Sequence, residues 1–61
     1  MTVVQIMFEN GVFEEKYKNI IEIYPHKAMN SKLFNIALKD LIRQDYKLYK
    51  MSDNWIRAFK K

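Results

Sequence analysis

This 61-residue chain has no cysteine, one glycine, one proline and one histidine, and the missing residues exclude several kinds of site. Without cysteine the chain cannot form disulfides or thiolate metal ligands, and a single histidine does not make a metal centre. No repeat, linker or low-complexity tract is visible. We therefore expect no metal and no cofactor, and a fold held together by packing, helped by a partner.

Long apolar runs are also missing. No stretch approaches the roughly 20 apolar residues that cross a bilayer, and the first residues show no signal-peptide pattern. The apolar fraction of 49% is nevertheless too high for a disordered chain. We expect one small cytoplasmic domain over residues 1–61, without a membrane partner. A chain this short buries only about 60% of its unfolded surface.

Charge is unevenly distributed along the chain, whose net charge is +4. Residues 1–25 carry four glutamates against two lysines, whereas residues 26–61 carry nine basic residues against three aspartates. The second half is therefore a candidate surface for an anionic partner, either nucleic acid or an acidic protein. The alternative is a solvated surface that keeps the protein soluble.

Residues 2–25 predict a β-hairpin, because Asn10-Gly11 lies between two runs of β-branched and aromatic residues. A type I′ turn needs positive φ at both central positions, and Asn-Gly is a preferred pair for it. A two-residue loop here would place Phe8 opposite Phe13.

In that register residues 20–24 extend beyond the first strand. Ile21 and Ile23 then need a neighbour, and the C-terminal strands are the predicted one. A longer loop that pairs Val4 with Ile23 is the alternative, but it would not use the Asn-Gly turn.

Pro25 ends this region, and the residues after it predict an amphipathic helix that begins between Lys27 and Ser31, with Asn30 or Ser31 as N-cap. Its apolar residues cover roughly 240° of the helix, against about 100° for an ordinary surface helix. We expect this helix to bury more than one side. A narrow polar strip carries Lys32, Lys39 and Arg43.

The closing residues predict a second hairpin, with strands at 46–51 and 55–60 around a turn at 52–54. The predicted fold is α+β: a small antiparallel sheet of two hairpins with one helix packed on it, in the order ββαββ. One helix covers one face of a sheet, so apolar surface should remain exposed and mark an interaction site.

One helix is too small to cover all the apolar surface of the predicted sheet. This excess of apolar surface predicts a non-enzymatic, stoichiometric binding protein that inhibits or regulates a larger macromolecule. The partner is a larger protein or a second copy of the chain. The predicted protein-binding anchors are Tyr49, Trp55, Phe59, Leu38 and Ile42. The predicted basic surface is Lys32, Lys39, Arg43, Lys47, Lys50 and Arg57.

A nucleic-acid-binding module is the alternative, since aromatic and basic residues interleave in the last hairpin, where rings can stack on bases and cations can meet phosphates. No ribonucleoprotein, zinc-knuckle or helix-turn-helix signature accompanies them.

Catalysis is not predicted. His26 has no nucleophile or carboxylate pair placed by the sequence to work with it, and adjacent Glu14 and Glu15 point to opposite faces of a strand. The chain also shows no phosphate-binding loop and no metal-ligand spacing, so we expect no small-molecule substrate.

The opening "MTVVQIMFENGVF" resembles the start of small phage-encoded accessory proteins. In length and layout the chain is similar to the Dmd-type antitoxins of T-even phages, which also open with a short strand ending in Phe, then glycine and another Phe. The resemblance implies a non-enzymatic inhibitor that acts in the host cytoplasm on a toxin, nuclease, polymerase or defence complex.

Overall fold

The computed structural model describes residues 2–60 and contains, within that range, two α-helices, one 3-10 turn and one four-stranded sheet. The elements in chain order are α1 (Val3–Glu9), β1 (Phe13–Tyr17), β2 (Ile20–Ile23), a 3-10 turn (Pro25–Lys27), α2 (Ser31–Arg43), β3 (Tyr46–Ser52) and β4 (Trp55–Lys60). The α+β class is confirmed. The predicted order ββαββ with one helix is wrong, because the order is αββαββ. Neither α-helix in this range is long and apolar enough to cross a membrane.

The predicted first strand is the helix α1. The side chain of Thr2 caps it, its Oγ1 accepting a hydrogen bond from the backbone N–H of Gln5 at 3.1 Å. Met7 is buried, and other apolar side chains of the helix pack around the core. Seven residues that begin with Val-Val are weak helix formers by themselves. Packing of the apolar face therefore outweighs the local β preference.

Asn10-Gly11 ends α1 and does not turn a hairpin. Gly11 has φ of 77° while Asn10 has φ of −88°, so the two positive φ values of a type I′ turn are not present. The N–H of Gly11 donates to the carbonyl of Phe8, and the N–H of Val12 donates to the carbonyl of Met7. These two bonds define a Schellman C-cap, and the buried Met7 and Val12 supply the apolar contact that accompanies it.

The sheet order is β1-β2-β4-β3, and all neighbours are antiparallel. The first hairpin joins β1 to β2 through a tight turn in which Asn19 has φ of 66°. The expected pairing of Ile21 and Ile23 with a C-terminal strand is confirmed, since they lie opposite Ala58 and Ile56 of β4. The predicted second hairpin is confirmed as β3–β4.

Both α-helices lie on one side of the sheet, and the core lies between the two layers. The buried apolar side chains of residues 2–60 are Met7, Val12, Phe13, Ile21, Ile23, Ala37, Leu41 and Ala58. The ring of Phe13 sits at the centre, with edge-to-face contacts to Phe8 at 5.7 Å and to Phe34 at 6.4 Å between ring centroids. Phe8 and Phe13 are therefore in contact, but as residues of a helix and a strand and not as the predicted cross-strand pair.

Helix α2 begins after Asn30, whose Oδ1 accepts a hydrogen bond from the N–H of Leu33, so Asn30 is the N-cap of the two predicted candidates. The helix contacts α1 and β3, which explains why its apolar arc is wider than one face. The unpredicted helix α1 thus packs against part of the wide apolar arc of α2. Ile36 and Ile42 of α2 remain exposed.

Candidate functional site

The candidate site is the side of the sheet that faces away from α1 and α2. Because side chains alternate along a strand, every second residue of each strand points to this side. We call it the open sheet face. Its members on the strands are Glu14, Tyr17, Ile20, Glu22, Lys47, Tyr49, Trp55, Arg57 and Phe59. Tyr24, directly after β2, joins them through its hydrogen bond to Glu22.

Strand pairing arranges these residues in rows that run across all four strands. One row is Glu14–Glu22–Arg57–Tyr49, and the next is Tyr17–Ile20–Phe59–Lys47. In the first row both acids lie on the β1–β2 half and the cation lies on the β3–β4 half. The uneven charge of the sequence therefore becomes a gradient across one surface.

Aromatic rings occupy the β3–β4 half of the open sheet face. The rings of Tyr49 and Phe59 are parallel within 8°, with centroids 5.1 Å apart. The guanidinium carbon of Arg57 lies 5.4 Å from the ring centroid of Trp55, within range of a cation–π contact. Each of these rings thus has part of one face covered by a neighbour. Neither Trp55 nor Phe59 belongs to the described packing around the core.

An acidic cluster occupies the opposite half. Glu14 lies across from Glu22, and the hydroxyl of Tyr24 donates a hydrogen bond to Glu22 Oε1. This bond, together with desolvation and the negative charge of both glutamates, raises the pKa of Tyr24 from 10.0 to about 12. The Nζ of Lys16 lies 3.5 Å from Glu14 Oε1 and offsets part of this charge. The remaining negative charge can face a basic group of a partner.

Sequence reasoning missed this cluster. The spacing of Glu22 and Tyr24, two residues apart on a strand, was a signal that they share a face. Glu14 had no such signal, because the predicted hairpin placed Glu14 and Glu22 on one continuous strand, whereas the structure folds that segment back on itself as β1 and β2.

The five predicted protein-binding residues fall on two opposite sides of the molecule. Tyr49, Trp55 and Phe59 lie together on the open sheet face. Leu38 and Ile42 lie on α2, beyond the core. Leu38 is half-buried and packs against the core, whereas Ile42 is 56% exposed. One flat partner surface cannot contact both groups at once.

The predicted basic residues also separate. Lys32, Lys39 and Arg43 lie on α2, where Arg43 pairs with Asp40 at 3.7 Å. Lys50 is on β3 opposite Ile56, which packs against the core, and it pairs with Asp53 at 3.4 Å. The two that remain, Lys47 and Arg57, share the open sheet face with the aromatic rings.

A pocket of about 340 Å³ opens at the α2–β3 end of this face, lined by Asp45, Lys47, Phe59 and Lys60. Its lining combines one acid with two cations around a ring, which gives no defined preference for one small ligand. Over residues 2–60 no group of three or more histidine, aspartate or glutamate side chains is placed to hold a metal ion. His26 is exposed, and its Nδ1 lies 3.2 Å from the backbone oxygen of Asn54.

Comparisons with protein-family models, with curated proteins and with solved structures found no match. The class of protein is therefore defined by the fold and the open sheet face: a small α+β domain that displays aromatic and charged side chains on one uncovered side of its sheet.

Proposed function

We propose that this chain is a non-enzymatic, stoichiometric binding protein that regulates or inhibits a larger protein through the open sheet face. The observation that carries the proposal is the grouping of Tyr49, Trp55, Phe59 and Arg57 on one side of a sheet that neither α-helix covers. Aromatic and arginine side chains dominate the energetically important positions of protein interfaces.

Apolar and charged residues have separate parts in this proposal. The rings of Tyr49 and Phe59 form a ridge that a partner's apolar side chains would cover, and their burial would supply most of the affinity. Lys47 and Arg57 would steer an acidic partner surface toward the ridge, whereas Glu14 and Glu22 would reject an acidic group placed on the other half.

The contact between the rings favours a protein partner over single-stranded nucleic acid. Base stacking needs ring faces that are open to solvent. Tyr49 and Phe59 already cover part of each other's faces, and Arg57 covers part of Trp55. The two glutamates on the same surface would also repel a phosphate backbone.

Nucleic-acid binding is the second candidate, because Lys47 and Arg57 flank the rings on the same strands. It differs from the first in its dependence on salt. A complex made by phosphate contacts weakens steeply as the salt concentration rises, whereas a complex made by apolar burial changes little.

The resemblance to phage accessory proteins included an opening strand, and residues 3–9 form a helix. The proposed function therefore depends on the open sheet face and not on this resemblance. A phage-type inhibitor of a host protein is one example of such a binding protein.

Affinity capture from cell extract, with and without nuclease, tests the proposal when three baits are compared. The baits are the wild type, Tyr49→Ala on the open sheet face, and Ile42→Ala on α2 as the matched control, since both side chains are about half exposed. We expect the wild type and Ile42→Ala to retain a partner protein after nuclease treatment, and Tyr49→Ala to lose it. If Ile42→Ala loses the partner and Tyr49→Ala retains it, the site lies on α2. If nuclease treatment removes every captured partner, nucleic-acid binding is favoured.

A further inference from the structure

We propose that a second copy of this chain covers the open sheet face, in a face-to-face dimer whose two-fold axis runs parallel to the strands between β2 and β4. The charges and the register of the sheet favour a second copy as the partner on this face. In the order β1-β2-β4-β3 the middle of the sheet lies between β2 and β4, so this axis places β1 of one copy over β3 of the other.

The rows of the open sheet face are complementary under this rotation. A two-fold axis along the strands reverses the order of strands and keeps each row on itself. Glu22 of one copy then faces Arg57 of the other, and Ile20 faces Phe59. Each contact occurs twice, as an isologous interface requires. The central strands thus combine a charge pair with an apolar pair in adjacent rows.

The other two-fold axis in the plane of the interface, perpendicular to the strands, gives the opposite result. It places β2 over β2 and β4 over β4, so that Glu22 cannot face Arg57. With the axis through their row, Glu22 meets Glu22 and Arg57 meets Arg57; with the axis between the two rows, Glu22 meets Ile20 and Arg57 meets Phe59. Like charges placed together across an interface cost several kcal/mol. The charge pattern therefore selects one of the two arrangements, and it is compatible with the aligned packing of two sheets, whose strands cross at about 30°.

The interface would be small. The molecule measures 28 × 26 × 17 Å, so one broad face offers at most roughly 700 Å² per copy, slightly below the 800 Å² or so of a standard interface. We infer a reversible dimer that dissociates on dilution. The dimer would cover the open sheet face until a target protein displaces the second copy, and this role rests on the proposed function. The self-association does not depend on the proposed function.

Charge exchange tests the dimer directly, measured by sedimentation from about 10 μM to 1 mM. Arg57→Glu and Glu22→Arg should each weaken self-association by at least about tenfold, because two like-charge contacts replace two charge pairs. An equimolar mixture of these two variants should associate again, since every facing pair then has opposite signs. The matched controls are Lys50→Glu and Glu15→Arg, which change the same charges on strands β3 and β1 at positions that do not point to this face.

Far-UV circular dichroism of each variant shows whether it folds, and the wild type gives a readout that needs no variant. Its amide NMR shifts should move with concentration at the open sheet face and not on α2. A wild type that stays monomeric at 1 mM, control variants that weaken association as much as Arg57→Glu, or singles that do not associate when mixed would each overturn the dimer. If the dimer is absent but Tyr49→Ala still loses a captured protein, only this inference fails and the proposed function stands.

Discussion

The rings of Tyr49 and Phe59 stack in parallel from neighbouring strands, with centroids 5.1 Å apart. They are diagonal neighbours in the β3–β4 register, because Tyr49 lies opposite Arg57 and Phe59 lies opposite Lys47. The pair is thus produced by one hairpin and needs no contact with the helices. It gives the open sheet face a fixed apolar ridge.

A double-mutant cycle on Tyr49→Ala and Phe59→Ala measures the strength of this stack. We expect a coupling free energy of about 0.5–1.5 kcal/mol in urea unfolding, the usual value for an aromatic pair beyond its area burial. The cycle of Tyr17→Ala with Phe59→Ala is the control and should give a coupling near zero, because β2 lies between these residues. Equal coupling in both cycles would show that the rings of Tyr49 and Phe59 do not stack.

Gly11 is the left-handed residue of the C-cap that ends α1. Its φ of 77° suits glycine, and a Cβ at this position would meet no atom within 4 Å. Gly11→Ala should therefore cost about 1 kcal/mol of unfolding free energy through backbone conformation alone. Gly11→Asn should cost less, because asparagine tolerates this region. Chemical denaturation of the two variants compares them, and an Ala variant as stable as the wild type would contradict the positive φ of Gly11.

The pKa of Tyr24 predicts a loss of stability at high pH. Because the folded state raises this pKa from 10.0 to about 12, the folded protein binds the proton more tightly than the unfolded chain does. The stabilisation is present in full below pH 10 and is lost as the pH rises to about 12.

Absorbance of tyrosinate against pH checks this assignment. Tyr24→Phe should remove the ionisation near pH 12, whereas Tyr17→Phe, a change on the exposed end of the same hairpin, should leave it. Glu22→Gln should lower the pKa of Tyr24, because it removes the charge that accepts the hydroxyl proton. An unchanged titration in Glu22→Gln would show that this bond is not the cause.

Truncation of Phe13 should destabilise the protein far more than truncation of Trp55, although both are large aromatic residues. Phe13→Ala removes a ring that is 1% exposed and contacts two other rings, and we expect a cost of about 3–5 kcal/mol, enough to unfold most of the protein. Trp55→Ala changes a half-buried ring outside the core and should cost about 1 kcal/mol. Thermal melts followed by circular dichroism compare them, and an unfolded Trp55→Ala would place that ring in the core.

Helix α2 and the β3–β4 hairpin were predictable because their signals are local. Asn30 caps a helix whose apolar spacing is visible within four turns, and the residues at 52–54 favour a turn between two β-rich runs. The pairing of Ile21 and Ile23 with β4 followed from their need for an apolar neighbour.

The N-terminal helix was not predictable in this way. Asn-Gly fits both a hairpin turn and a helix C-cap, since each uses a positive φ at glycine. The Thr2 cap is a local signal for the helix, but it spans one turn. The packing of Met7 and Phe8 against the core adds the larger stabilisation, and that packing depends on residues far along the chain. Because residues 3–9 were predicted as a strand, the estimate of exposed apolar surface did not include a second helix. Leu38 was therefore assigned to a partner, although it packs against the core.

The sequence alone determined the mixed α+β class, the place of α2 and of the last hairpin, and the separation of acidic from basic residues along the chain. Tertiary structure decided whether residues 3–9 are helix or strand, which side of the hairpins is buried, and which charges share a surface. The physical reason is the range of the interactions. Caps, turns and periodicity act over a few residues, whereas burial and strand register are set by contacts between residues that are distant in the chain.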